Sequence, residues 1–220
     1  MMRLMRQSDI IDYTKIPNKD VTVIGLGGIG SPLVYSLIKM GIPGSCITGY
    51  DHDHVDEVNL NSQFYRHTDV GQSKATALAR AMLQMENQSF HAINDMYVDQ
   101  PVSNIAVMAV DSIEARRKIF RNVRRMNDVN LIIDARMGAE FTEIYSLPTK
   151  DRGLLGRYTK TLHHADEVVR EPCTRKAIVY TTISTSGFIA NLIKKFLLGE
   201  ELPQCLQIDH INMEIYKSSI

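Results

Sequence analysis

The chain of 220 residues lacks a net charge, since 25 lysines and arginines balance 25 aspartates and glutamates. Without a net charge the protein has no global field that would attract nucleic acid or an anionic membrane, so neither is expected as a partner, although a local basic patch is compatible with this balance. It also lacks an apolar run of membrane-spanning length, and residues 1–7 do not resemble a secretory signal peptide.

Cysteine is scarce, with three residues at Cys46, Cys173 and Cys205. Their odd number and wide spacing argue against a disulfide framework and suit the reducing cytosol. A cytoplasmic location is therefore expected. The chain also lacks a C-x-x-C pair, which is a common spacing of the cysteine ligands in structural zinc sites.

A mass of 24.9 kDa suits one α/β domain with an ample core, and two independent domains would be cramped. We expect a single domain over 1–220 with a Rossmann-like, doubly wound and mostly parallel sheet that has an antiparallel C-terminal edge. Apolar segments predict strands at about 21–24, 46–50, 90–96, 105–110, 131–134, 140–147 and 207–215, and helical spacing predicts helices at about 31–41 and 75–85.

A glycine-rich turn follows the first predicted strand, 21–24, in the pattern G-x-G-x-x-G. Glycine permits the tight turn, lets the backbone approach a phosphate and lets the next helix pack closely against the strand. That helix begins near Ser31, so its N-terminal N–H groups face the turn. We expect this glycine loop to bind phosphates through Gly25, Gly27, Gly28 and Gly30.

The second predicted strand delivers Asp51 to the carboxyl edge of the sheet, where an acid can accept hydrogen bonds from ribose hydroxyls. This pattern alone fits NAD or FAD enzymes as well as users of ATP. The residues after it favour ATP, because Asp53, Asn59, Gln63 and Lys74 supply an acid, two amides and a lysine near the phosphates. A nicotinamide enzyme remains an alternative, disfavoured because nothing after Asp51 supplies a hydride-transfer site.

These residues form the pattern D-x-D-x-V-x-x-x-N-L-x-S-Q, which runs from Asp51 to Gln63, followed by D-V-G-x-x-K, which ends at Lys74. Here the chain resembles the ThiF/MoeB/HesA family, prokaryotic relatives of ubiquitin-activating enzymes, and the resemblance extends over about 6–199. It implies a fold that binds Mg-ATP and adenylates a carboxylate, usually the C-terminus of a small ubiquitin-like or sulfur-carrier protein. Many members carry a structural zinc, which is not expected here because C-x-x-C is absent.

The resemblance also implies roles for individual residues. Arg6, in an Arg-Gln pair before the first strand, would reach the ATP of the partner subunit in a homodimer; the alternative is an ordinary basic residue in a frayed terminus. Asp111, after the fourth predicted strand, would hold Mg²⁺, or would instead cap the next helix. The family has an arginine where this chain has Ser62, and Arg66 would compensate if that segment were helical.

Residues 150–171 are polar and carry two glycines, so we expect a mobile crossover loop over about 150–172. The adjacent His163 and His164 have no further ligands at zinc spacing and are expected to be surface residues. Cys173 lies where relatives place a transfer cysteine, and Arg175 would favour its thiolate; the alternative is an inert buried thiol. Residues 178–183 look like a strand, whereas the resemblance implies one long helix starting near Cys173.

The helix after Asp111 is rich in basic residues, which favour either a solvated face or a docking surface for an acidic protein or RNA. Two further hypotheses arise within the same superfamily. One is a tRNA-modifying relative, supported by these arginines, and the other is a non-catalytic partner subunit that lost activity with the arginine replaced by Ser62. The basic residues are Arg116, Arg117, Lys118, Arg121, Arg124 and Arg125.

Overall fold

The computed structural model describes residues 4–164 and 177–220. These residues form one eight-stranded sheet and five α-helices. The strands are β1 (Val21–Ile24), β2 (Ile47–Tyr50), β3 (His91–Ile93), β4 (Asn104–Met108), β5 (Val129–Gly138), β6 (Phe141–Pro148), β7 (Cys205–Asp209) and β8 (Glu214–Ser218). The helices are α1 (Gly30–Met40), α2 (Lys74–Glu86), α3 (Ile113–Val123), α4 (Arg152–His164) and α5 (Val179–Leu197).

The sheet has the order β3-β2-β1-β4-β5-β6-β7-β8. Strands β1 to β5 pair in parallel, and β6, β7 and β8 pair antiparallel. The predicted fold class, Rossmann-like with an antiparallel C-terminal edge, is confirmed. Because β1 has β2 on one side and β4 on the other, the chain changes direction across the sheet at β1, which is where open α/β sheets bind ligands.

Helices cover the sheet on both faces. One apolar core lies beneath α1, α2 and α5, and the other lies beneath α3 and α4. Neighbouring residues of β1 enter opposite cores, with Val23 in the first and Ile24 in the second, which is why the strand is apolar throughout. Within the described part of the chain, no helix has both the length and the apolar composition needed to cross a membrane.

The predicted strand over 207–215 is wrong in part, because it is a hairpin of two strands. The carboxylate of Asp209 accepts hydrogen bonds from the N–H groups of Ile211 and Asn212, and this turn separates β7 from β8. The strand alternative for 178–183 is also wrong. Thr181, Thr182 and Thr185 return their hydroxyl groups to main-chain carbonyls of the preceding turn of α5, so these β-branched residues form a helix.

The loop predicted over about 150–172 is wrong for its first half, where α4 lies. Leu154, Leu155, Tyr158 and Leu162 recur at helical spacing and are buried in the core beneath α3 and α4. Asp151 precedes the helix and its carboxylate accepts the N–H of Leu154 at 2.8 Å. Residues 165–172 lie outside the described residues.

Candidate nucleotide site

The glycine loop begins where β1 ends, and two of its glycines are required for steric reasons. Gly25 has a φ of +94°, and a Cβ there would lie 2.6 Å from the carbonyl oxygen of Ala109. A Cβ on Gly30 would lie 1.9 Å from the carbonyl oxygen of Gly25, so only glycine lets α1 start this close to the strand. The loop therefore packs against the exit of β4, and the N-terminus of α1 opens onto it.

Asp51 is buried at the end of β2 and holds the glycine loop in place. Its Oδ2 accepts the N–H of Leu26 at 2.7 Å, and its Oδ1 accepts the N–H of Asp53 at 2.9 Å. Each carboxylate oxygen has a second lone pair, so a ribose hydroxyl could still donate to it. The structure thus gives Asp51 a structural role in addition to the ribose contact that the sequence predicts.

Lys74 is the first residue of α2, and its side chain is only 8% exposed. Its Nζ lies 2.9 Å from Oδ2 of Asp53, whose side chain is 54% exposed. Burial raises the pKa of Asp53, but the hydrogen bond and charge of Lys74 outweigh it, so this pKa is lower than that of an ordinary aspartate. The predicted phosphate-binding lysine is therefore held by Asp53, which Asp51 links to the glycine loop.

Gln63 lies beside the glycine loop with a buried polar atom that lacks a partner. Its Oε1 forms no hydrogen bond within residues 4–164 and 177–220. A Cβ on Gly27 would come within 3.9 Å of its Nε2. A buried amide oxygen without a partner is uncommon in folded proteins and marks a position where a ligand could bind.

The side chain of Asn59 is engaged in a local hydrogen bond, and Gly28 packs closely against α5. The Oδ1 of Asn59 accepts the N–H of Asp56 at 3.1 Å and caps a short 3₁₀ turn, Glu57–Asn59. A Cβ on Gly28 would lie 2.9 Å from Cγ2 of Thr182, so this glycine lets α5 approach the loop. The predicted nucleotide contacts of both residues stay predictions.

Arg66 is bound to neighbouring side chains of its own segment and of α2. Its guanidinium contacts the buried carboxylate of Asp69 at 3.2 Å and Oε1 of Gln84 at 2.6 Å. The segment is a 3₁₀ turn at His67–Asp69 rather than an α-helix. The condition on which the sequence made Arg66 a substitute is therefore not met.

Asp111 lies in the exposed turn between β4 and α3. The alternative role as a helix cap is wrong, because Ser112 is the N-cap and its Oγ accepts the N–H of Ala115 at 3.1 Å. Within the described ranges, the Asp111 carboxylate has neither a hydrogen bond nor an ion pair. It follows Ala109, which packs against Gly25, by two residues and could bind a hard cation at this edge of the sheet.

A buried charged network fixes the turn that carries Asp111. Asp134, on β5, is fully buried and accepts hydrogen bonds from Arg116, from Nε of Arg136 at 2.7 Å and from the hydroxyl of Tyr158 at 2.8 Å. Arg116 also donates to the carbonyl of Val110, the residue before Asp111. Desolvation raises the pKa of Tyr158 far above its ordinary value, so its hydroxyl keeps its proton and donates a hydrogen bond to Asp134.

The solvated or docking surface predicted for the basic residues of α3 is wrong for part of the helix. Arg116 is buried, and Arg117 donates to the carbonyl of Leu162 at 2.7 Å. Sequence reasoning missed this network, although an aspartate within the apolar strand β5 was a usable signal. Such a residue needs buried partners.

The remaining predicted site residues are Arg6 and Cys173. Arg6 is exposed in the turns before β1, and its guanidinium has no hydrogen bond or ion pair to a described residue. Cys173 and Arg175 lie outside the described residues, so the transfer role stays a prediction. Among the described residues, the group of potential metal ligands is Asp51, His52 and Asp53, whose ligand atoms lie within 4.8 Å of one another.

The chain matches the model of the ThiF family over residues 2–219. It is 30% identical over 149 residues to ubiquitin-like modifier-activating enzyme 5 of Drosophila grimshawi, covering 58% of this chain and 37% of that protein. It is 32% identical over 108 residues to the Caenorhabditis briggsae enzyme of the same name, covering 49% of this chain and 23% of that protein. The match thus spans less than two fifths of either relative's length.

Two solved structures are similar in fold. E. coli MccB, solved with ATP, superimposes with a TM-score of 0.71 at 18% identity, covering 94% of this chain and 65% of that chain. PaaA superimposes with a TM-score of 0.75 at 17% identity, covering 100% and 82%. Because the family model spans nearly the whole sequence, this chain belongs to the ThiF family.

Proposed function

We propose that the protein is an ATP-dependent adenylyltransferase, which activates the C-terminal carboxylate of a ubiquitin-like or sulfur-carrier protein as an acyl-adenylate. The observation that carries the proposal is the glycine loop held by Asp51 beside the buried, charged Lys74. The relatives named ubiquitin-like modifier-activating enzyme 5 support this substrate class, and so does MccB, which was solved with ATP and also with MccA.

The residues at the loop suit ATP. The N–H groups at the start of α1 and the ammonium of Lys74 are phosphate donors, and the amide of Gln63 offers a buried polar group without a partner. Asp111 would hold Mg²⁺, which would neutralise phosphate charge when bound. Asp51 would accept hydrogen bonds from the ribose hydroxyls.

The reaction needs charge neutralisation rather than a general base. A C-terminal carboxyl group has a pKa of roughly 3.5, so it is already ionised at neutral pH. Its oxygen forms a bond to the α-phosphorus, the bond from that phosphorus to the bridging oxygen breaks, and pyrophosphate leaves with the electron pair. Lys74 would bind the phosphates in position, and the partner's Arg6 would add a second positive charge.

Asp111→Asn is expected to weaken the magnesium-dependent binding of ATP by about tenfold or more, equivalent to about 1.4 kcal/mol. The amide keeps the shape of the side chain but removes the charge that binds the cation. Calorimetric titration with ATP, with and without Mg²⁺, measures the effect. Asp99→Asn, at another exposed aspartate, is the control. Equal magnesium-dependent binding by Asp111→Asn and wild type would remove Asp111 from the site.

The homodimer and the role of Arg6 are tested by mixing two variants. Arg6→Ala and Lys74→Ala should each be inactive alone, because each lacks one half of every site. In a random mixture, half of the dimers combine the two chains, and each such dimer has one complete site, so about a quarter of wild-type activity should return. No recovery after subunit exchange would show that Arg6 does not act across a dimer.

A second candidate is a non-catalytic partner subunit. Ser62 favours it, because the family arginine is absent there and Arg66 is bound to Asp69. Purified protein that forms AMP and pyrophosphate from ATP and a carboxylate substrate without another subunit would exclude this candidate.

A further inference from the structure

A small cleft lined by basic residues lies at the end of the molecule opposite the glycine loop. The glycine loop is at the carboxyl end of β1, whereas this cleft lies where β5 begins and β6 ends. It encloses about 150 Å³. We call it the basic cleft and define it by the four cationic residues that line it, Arg124, Arg125, Lys150 and Arg152.

The walls of the basic cleft come from three connected parts of the fold. Arg124 follows α3, Lys150 follows β6, and Arg152 begins α4. Thr149 ties the connection between β6 and α4 to the start of β5, because its N–H donates to the carbonyl of Asn130 at 3.0 Å and its hydroxyl to the carbonyl of Val129 at 2.6 Å. The backbone beneath the charged side chains is thus ordered rather than a loose surface loop.

The four cations have no acidic partner among residues 4–164 and 177–220. Arg124 contacts a hydroxyl, Oγ1 of Thr159 at 3.5 Å, and lies over the ring of Phe120 at 5.5 Å. The acids in the adjoining segments are Asp128 and Asp151, and Asp151 is engaged with the N–H of Leu154. In a chain whose total charge is zero, this is a local concentration of positive charge.

The positive surface continues beyond the cleft along both helices. Arg121 is exposed on α3, one turn before Arg124 and Arg125. On α4, the NH1 of Arg157 lies 3.5 Å from the position that a Cβ on Gly153 would take, so this side chain reaches back towards the first turn. That first turn has no acidic residue, and a helix N-terminus adds partial positive charge.

The same surface lacks the apolar anchors of a protein-binding site. Among the described residues, none of the exposed large apolar side chains belongs to 113–130 or 148–158. Protein interfaces depend on buried aromatic and apolar anchors, whereas surfaces that bind nucleic acid are polar and strongly positive. Five of the six cations are arginines, whose planar guanidinium matches phosphate oxygens in a bidentate way.

We propose that the basic cleft and its flanking Arg121 and Arg157 bind the phosphate backbone of a double-stranded nucleic acid, without reading its sequence. The basic cleft is separate from the candidate nucleotide site, because none of residues 21–74 lines the cleft. The zero net charge gave no reason to expect such a partner. The fold creates the site by bringing the ends of α3 and β6 to the start of α4.

Fluorescence anisotropy with labelled 20-base-pair RNA and DNA duplexes tests the proposal on the full chain at several salt concentrations. Four to six phosphate contacts predict that the logarithm of the binding constant falls with the logarithm of salt concentration with a slope between about −3.5 and −5.5. Arg125→Glu/Lys150→Glu should lower the affinity at least tenfold and make the slope shallower by about two. Both side chains are exposed, so folding should be unaffected.

Lys15→Glu/Lys217→Glu carries the same change in charge at two exposed positions elsewhere and should bind duplexes with little change. Lys74→Met should bind them like wild type, since its defect is confined to the adenylation site. An equal loss in the Lys15/Lys217 control would overturn the proposal, because net charge alone would explain it. Polyglutamate that binds as tightly as a duplex would overturn it as well, as would the absence of duplex binding at low salt.

Discussion

Lys74→Met is expected to lower carboxylate-dependent ATP turnover at least about a hundredfold, equivalent to about 2.7 kcal/mol of transition-state stabilisation. Lys74 is almost fully buried and its ammonium is held 2.9 Å from Asp53, beside the glycine loop. Methionine keeps a flexible apolar side chain of similar length but removes the charge that would face the phosphates. Exchange of labelled pyrophosphate into ATP, with a peptide ending in two glycines as the carboxylate, measures the loss.

The fold of Lys74→Met should change little, because the acid that it leaves behind is half exposed. An ion pair with so much solvent contact contributes about 1 kcal/mol or less to stability. Lys39→Met is a control for the loss of an ion pair away from the loop, since Lys39 and Glu86 are also 2.9 Å apart; there the burial is reversed, with the lysine 49% and the acid 5% exposed. If Lys74→Met keeps more than half of the wild-type exchange rate, Lys74 does not bind the phosphates.

The geometry of the glycine loop could be predicted from sequence because its constraints are local. The glycine spacing follows from the contact of Gly30 with Gly25, five residues away, and Asp51 follows directly from the end of β2. The sequence alone could not decide whether Asp111 binds a cation or caps the next helix. That question depended on which of two adjacent residues, Asp111 or Ser112, takes the cap, and the structure places Ser112 there.

Other features depended on contacts that are distant in the chain. Gly153 and Gly156 favoured the prediction of a loop where α4 lies, although Leu154, Tyr158 and Leu162 follow helical spacing. Residues 178–183 have strand-forming composition, yet most of them lie in the first turns of α5, a helix that packs against α1. The inward orientation of the Arg116 side chain could not be predicted from α3 alone. It depends on the ion pair with the buried Asp134, which lies eighteen residues later in the chain.

Asp134→Asn is expected to destabilise the fold by about 3–5 kcal/mol, because it leaves two arginines without their counter-charge in the protein interior. Arg116 is buried, and the guanidinium of Arg136 lies 4.6 and 5.5 Å from the ring centroids of Tyr145 and Tyr158, which contact each other edge to face. For a chain of this size the loss corresponds to a fall in melting temperature of about 10 °C. Thermal and urea unfolding monitored by circular dichroism measure it.

A double-mutant cycle separates the charge interaction from a simple packing defect. Arg116→Met should also destabilise the fold, but adding it to Asp134→Asn should cost less than the sum of the two single changes, since it removes one of the unpaired charges. Because Arg116 also binds the carbonyl of Val110, each variant should loosen the turn that carries Asp111 and weaken magnesium-dependent ATP binding. Strictly additive stability losses would mean that Asp134 and Arg116 do not act as a pair.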